Sequence, residues 1–437
     1  MFFYLKENLF PIILILILLV ILAYVTNISS IPDSIILFQN DEFSLQTIAG
    51  IKIEEQINMM ENEETISVGV APLGDPQQNE NNDVGVGLHP YLGQGQSLAP
   101  TKQYNVSLLG VKLKTVTANV VENRKVIPLG NLAGIKLYTQ GVLVVGMSQI
   151  EGEDNKVYKP YEEAGIEQGD SIIKINNETI DSTEELLECV SKCKGKTVNI
   201  TYLKEGKEVN SSITPVKTSK NTYKLGLWVR DAAAGVGTLT FYDEATNSIA
   251  SLGHGIQDVD TGEKVDISSG EFVTTEIVNI QKGEKENPGR IEGSIEDSTE
   301  IGGIYSNTRF GVYGNITNKE ALKLYETEAI EVGLRNEIEE GDATIVCTLE
   351  DGKKEEYKVS IQKIFKNNNE NNKSMIVKIT DEKLLEKTGG IIQGMSGSPI
   401  IQNGKLIGAL THVLVSDPTT GYGVFADLML KELRKNE

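Results

Sequence analysis

The sequence predicts a mainly β protein with one apolar helix at its start and a β-barrel-like domain at its end. Three observations lead there. After residue 220, short β-branched segments recur between Gly, Asn and Asp turn signals, the rhythm of a barrel or sandwich. Residues 399–415 spell a strand, an Asn403-Gly404 two-residue turn and a return strand. Residues 9–25 are an unbroken apolar run of the length that spans a bilayer as a helix.

At 437 residues the chain is too long for one ordinary core, so several domains are expected. Lys plus Arg number 41 against 62 Asp plus Glu, a net charge of −21, which argues against nucleic acid as a partner. Cys189, Cys193 and Cys347 have neither zinc-site spacing nor an even count, so no disulfide framework or metal site is expected. The chain has 3 histidines, His89, His254 and His412, and any imidazole base must be one of them.

Residues 1–29 read as a cytoplasmic stub and an uncleaved signal-anchor helix. The apolar run is long for a signal-peptide core, and no small-x-small cleavage site follows it. The rest of the chain then lies outside the cytoplasm. Residues 30–124 hold β-branched stretches at 30–56 and 104–122, a small β module. Between them, residues 61–100 are rich in Asn, Gln, Glu, Gly and Pro, a flexible linker in which His89 is a poor catalytic candidate.

Residues 125–216 change pattern. Two short strands precede "AGIEQGDSIIKINNETI", Ser182 and Glu185 open a helix as a capping box, and a hairpin closes the segment. This succession resembles a PDZ domain (α+β), whose core pattern of aGL-x-x-GD-x-I it follows. The resemblance implies that Leu132, Ala133, Gly134 and Ile135 form the loop that holds a peptide's C-terminal carboxylate. The peptide would add as a strand beside the helix. A docking role against the neighbouring domain is the other reading of this segment.

The chemistry concentrates in residues 217–437. Gly394-Met395-Ser396-Gly397-Ser398-Pro399 sets a serine in a tight loop where the backbone comes close to a carbonyl. With Ser396 as nucleophile, the N–H groups of Gly394 and Ser396 form an oxyanion hole. The loop and its hairpin resemble the nucleophile loop of chymotrypsin-like peptidases. Met395 stands where zymogen-type relatives carry the aspartate that pairs with a new N-terminus, so control must come from elsewhere. His254 lies between two glycines at a strand end, open to act as a general base. His412, on the strand leaving the serine loop, is the competing base. For the orienting carboxylate, Asp381 and Asp258 both remain; by sequence Asp381 reads as a helix N-cap.

Taken together, the apolar N-terminus, the PDZ-like segment, "SLGHGIQDVDTG" and "GGIIQGMSGSPIIQNGKLIGALTHVLVSDPTTGYGV" resemble the stage IV sporulation protein B serine peptidase family of endospore-forming bacteria. The resemblance implies a C-terminal serine peptidase domain with a triad of His254, Asp381 and Ser396, no cofactor and no metal. It also implies self-cleavage and secretion into the space between forespore and mother-cell membranes. There the protein substrate would be a membrane-bound regulator of an intramembrane protease, in sporulation signalling toward a sigma factor. The PDZ segment would bind a peptide C-terminus or the protein's own N-terminal region. The alternative from another class is a catalytically silent PDZ adaptor at the membrane surface.

Overall fold

The computed structural model describes residues 2–31, 34–38, 51–56, 101–108, 110–121, 124–366 and 371–434. The chain divides into two compact units, Met1–Glu122 and Asn123–Glu437. The expected linker at residues 61–100, with His89, falls outside the described residues.

The first unit opens with the helix Phe2–Ser30. Its side chains are described from Leu14 onward, and Leu14, Ile15, Leu16, Ile17 and Leu18 are all exposed, so successive positions around the helix are apolar. Among the described residues no helix is long and apolar enough to cross a membrane. The spanning helix expected over residues 9–25 therefore gains no support from the described part of the chain. Strands then pair in the order Ser34–Phe38, Val111–Val121, Thr101–Leu108, Ile51–Gln56, the first pair parallel and the others antiparallel. Tyr104, Val106, Val116 and Ala118 alternate onto the buried face of this sheet.

Two long strands organise the second unit: Leu132–Met147, the outbound strand, and Leu227–Asp243, the returning one. They pair antiparallel along nearly their whole length, from Thr238↔Leu132 to Leu227↔Met147. At one end, the outbound strand pairs next with Ile267–Val273, followed by Glu300–Thr308, Gly311–Ile316 and Ser248–Ser251, which rejoins the returning strand. That ring closes a first barrel. Ile135, Leu137, Leu239, Ile249, Phe272 and Val312 fill it, each close to fully buried. Burial of one such side chain contributes about 1.5–3 kcal/mol.

At its other end the same ribbon enters a second, α+β body. Val142 and Leu143 pair with Ser171–Ile175, which pairs with Val198–Lys204 and then Lys207–Ile213. The helix Thr183–Lys192 packs Leu186 and Val190 onto this sheet. Ser182 is the expected N-cap, its Oγ accepting from Glu185 N–H at 3.2 Å, while the Glu185 carboxylate reaches back one residue further than a capping box, to Asp181 N–H at 2.8 Å. Gly141, at φ +74°, makes the crossing from one body to the other, where a Cβ would lie 2.4 Å from Ile172 O.

The α+β body is thus an insertion between the first two strands of the first barrel. Residues 132–139 pair within the barrel on both sides, so the segment expected as a domain at 125–216 also supplies a barrel strand.

A second, six-stranded barrel closes in the order Gly341–Glu350, Lys353–Ile364, Met375–Ile379, Asp417–Phe425, Lys405–Leu414, Pro399–Gln402. The turn Asn403-Gly404 has φ of 52° and 76°, the two left-handed residues that a tight hairpin demands. The C-terminal helix Ala426–Arg434 is tied to this barrel by a buried bidentate pair, Arg335 to Asp427 at 2.8 and 3.0 Å.

Candidate active site

The serine loop belongs to the second barrel but hangs on the first. Thr238, on the returning strand, donates its backbone N–H to Ser396 O at 2.9 Å and its hydroxyl to Gly394 O at 2.7 Å. With both carbonyls turned toward Thr238, neither Gly394 N–H nor Ser396 N–H donates to a backbone carbonyl among the described residues, whereas Met395 N–H is bonded to Ile392 O at 3.1 Å. Gly397, at φ +97°, must be glycine: a Cβ would lie 2.0 Å from Thr238 O. Met395 is fully buried in the second barrel's core, so the position carries packing and no charge.

His254 follows the first barrel's strand Ser248–Ser251. Leu252 and Gly253, with φ of 64° and 68°, turn the chain sharply there. A Cβ on Gly253 would come within 2.8 Å of Thr411 and 2.9 Å of Val424, so this turn is pressed against the second barrel. The result is one cleft of about 660 Å³ with Ser396, His254 and His412 on its walls, and Ala233, Val236, Ile391 and Val413 making much of the rest apolar.

The groups are poised around each other without a direct Ser396–His254 hydrogen bond among the described contacts. Ser396 Oγ donates to Thr411 O at 2.5 Å. His254 Nδ1 lies 2.9 Å from Gly255 O, which makes it the protonated nitrogen and leaves Nε2 free to accept. Burial lowers the His254 pKa, against the Gly255 carbonyl, which favours the charged ring. His412 is pushed down to about 4, chiefly by burial, with His254 and Lys373 nearby adding to it. Its Nδ1 is buried with no hydrogen-bond partner.

Neither carboxylate meets His254. Asp381 caps the helix Glu382–Thr388, accepting from Leu384 N–H at 3.0 Å and Lys358 N–H at 3.2 Å. Both its oxygens thus accept backbone N–H groups, the helix-cap role that the sequence suggested, whereas the family resemblance implies an orienting role for it. Asp258 does line the cleft, but it accepts from Asp260 N–H and Thr261 N–H and pairs with Arg230. Burial works against its charge, yet these donors hold its pKa below the usual value.

At Leu132, Ala133, Gly134 and Ile135 the structure has no loop of the kind expected there. They form a barrel strand, with Gly134 and Ile135 paired to Val236 and Gly235 on one side and to Val273 and Phe272 on the other. A carboxylate loop needs unpaired N–H groups, which a strand inside a sheet does not have. A groove lies on the inserted body. There Leu186, Leu187 and Val190 of the helix face Leu225, Gly226, Leu227, Trp228 and Val229 across a cavity of about 450 Å³. From Leu227 to Arg230 the strand is paired on one side only, to residues 143–147. Gly226 has φ +79°, the backbone turn that opens this strand. The sequence signal was the run Tyr223-Lys224-Leu225-Gly226-Leu227.

Comparison with known proteins gives two family matches. Residues 221–430 match the family model "SpoIVB peptidase S55", and residues 108–214 match "PDZ domain". A curated relative, the zinc metalloprotease RasP of Shouchella clausii (strain KSM-K16), is 33% identical over 95 residues. The match takes in 21% of this chain, and the chain spans 22% of that relative's length. Among solved structures, the PDZ domain of the SdrC-like protein from Listeria monocytogenes is 24% identical, covering 21% of this chain and 87% of that one at a TM-score of 0.17. The active form of the Rv3671c protease from M. tuberculosis is 14% identical, covering 46% of this chain and 74% of that one at a TM-score of 0.29.

Proposed function

We infer that this chain, whose residues 221–430 match the SpoIVB peptidase S55 family model, is a serine endopeptidase with Ser396 as nucleophile and His254 as general base. One observation carries the reading: the two side chains, contributed by different barrels, line a single cleft. The reaction requires Ser396 Oγ to leave Thr411 O for Nε2 of His254. Oγ attacks the substrate carbonyl as Nε2 takes its proton, and the N–H groups of Gly394 and Ser396 receive the oxyanion. The imidazolium then protonates the leaving amine. Water, deprotonated in turn by Nε2, releases the acyl group and restores the serine. A base with a lowered pKa is already neutral at physiological pH and ready to accept.

The apolar walls support a substrate segment with apolar side chains. The inserted body supports a partner peptide, held by its C-terminus beside Leu227 and Trp228. This partner is a protein tail or the chain's own N-terminal region. The exposed leucines and isoleucines of the first helix support attachment to a membrane; a catalytic unit outside the cytoplasm follows from the family resemblance. Self-cleavage, and cleavage of a membrane-bound regulator of an intramembrane protease in sporulation signalling, follow from the family resemblance.

The test is covalent labelling of the full chain by a fluorophosphonate. Wild type is labelled and Ser396→Ala is not. A folded wild type that stays unlabelled would leave the silent adaptor as the better description.

A further inference from the structure

With no carboxylate on His254, something else must hold its ring. We propose that Asn307 is the positioning residue of His254, acting through the Gly255–Ile256 peptide bond. This rests on the peptidase reading above.

The peptide unit joining Gly255 to Ile256 is planar, so its C=O and N–H point in fixed, opposed directions. The carbonyl accepts from His254 Nδ1 at 2.9 Å. The N–H of the same unit, on Ile256, donates to Asn307 Oδ1 at 2.9 Å. A continuous chain therefore runs from imidazole to peptide to carboxamide, and each bond polarises the next. Asn307 is itself fixed. Its Nδ2 donates to Ile256 O and Val265 O, both at 2.9 Å, and the residue is 6% exposed.

The amide cannot be turned over, because the flipped form would set a donor against Ile256 N–H and an acceptor against two carbonyls. The fit is also steric. A Cβ on Gly255 would lie 2.6 Å from Thr308 O and 3.3 Å from Asn307 Oδ1, so only glycine lets this loop lie so close to the strand Glu300–Thr308. The arrangement fixes the tautomer with the proton on Nδ1 and the lone pair on Nε2, which is what a base for Ser396 requires.

Aspartate is no substitute here. Asn307→Asp keeps the acceptor for Ile256 N–H but faces two carbonyls with no proton to give. Asn307→Ala removes all three bonds.

The test uses the full chain and a fluorophosphonate, with k_inact and KI measured separately and rates expressed per folded molecule. Positioned general-base catalysis contributes roughly 10²–10⁴-fold, so both variants should lose about 10²-fold in k_inact at unchanged KI. A folded variant with wild-type k_inact, or a loss confined to KI, overturns the role of Asn307. An unlabelled wild type overturns the peptidase reading and this inference with it, so the two failures are distinct. Should neither variant fold, ¹⁵N spectra of histidine in the wild-type chain decide. At neutral pH His254 should carry its proton on Nδ1, and a proton on Nε2 overturns the proposal.

Discussion

His254 and His412 face one another in the cleft, ring centroids 4.8 Å apart and planes tilted by 38°. The pair cannot carry two protons cheaply in a partly buried site, and His412 in particular is held down to about 4. In the unfolded chain a histidine titrates near 6.5. Below that pH the unfolded state binds more protons than the folded one. Stability from the neutral pair is therefore complete above pH 6.5 and is lost as pH falls from 6.5 toward 4. Thermal unfolding followed from pH 7.5 to 4.5 should show this loss, and His412→Gln should lose less. An equal slope in wild type and variant would remove His412 as its source.

The same pair separates base from neighbour. His254→Ala should lower fluorophosphonate labelling by roughly 10²–10⁴-fold, the worth of a general base. His412→Ala, which removes only a wall of the cleft, should cost less than about tenfold. If the larger loss falls on His412, the roles are reversed.

Asp381 offers a sharp contrast. Its carboxylate accepts from Leu384 N–H and Lys358 N–H, which is a cap's work. Asp381→Asn keeps a good cap and should be labelled at nearly the wild-type rate. Asp381→Ala should cost about 1 kcal/mol of stability, as lost N-caps do. A folded Asp381→Asn that no longer reacts would return the aspartate to the catalytic machinery.

What was legible in the sequence was local. Asn403-Gly404 announced its hairpin because a tight turn needs two left-handed residues, and Ser182 with Glu185 announced a helix start. Ser396 and His254 stood out through their glycines, which a bent backbone requires. Long-range pairing left no such mark. Leu132 to Ile135 sit beside a PDZ-like sequence yet pair with residues far downstream, at Val236 and Val273. Thr238, Thr411 and Asn307 act through hydrogen bonds to residues far away in the chain, and nothing in their neighbours' identities signals it.

The insertion predicts two opposite deletions. Removing residues 125–216 takes away a barrel strand that is paired on both edges, so the first barrel should not close. Removing residues 141–229 and joining Gln140 to Arg230 by an Asn-Gly turn keeps both barrel strands and the Arg230–Asp258 pair. The second variant should show a cooperative thermal transition and react with the fluorophosphonate, and the first should do neither. Survival of the first, or failure of the second, would contradict the topology.

The groove on the inserted body carries its own reporter. Trp228 is the chain's 1 tryptophan. It is 64% exposed on the groove wall, so a peptide laid along Leu227 to Arg230 changes its surroundings. In the Ser396→Ala background, a peptide ending in a free apolar C-terminus should shift Trp228 emission to shorter wavelength and saturate. The same peptide with an amidated end should bind more weakly, because N–H groups near Gly226 would lose a charged acceptor. Leu187→Glu places a charge on the exposed helix wall of the groove and should weaken the shift while the body stays folded. Gly226→Ala should also weaken binding, since its φ is +79° and a Cβ would lie 2.5 Å from Ser148 O, where the strand begins. A shift equal for free and amidated peptides would show strand addition without carboxylate capture. No shift with any apolar-ended peptide would leave the inserted body as a docking element for its own barrels.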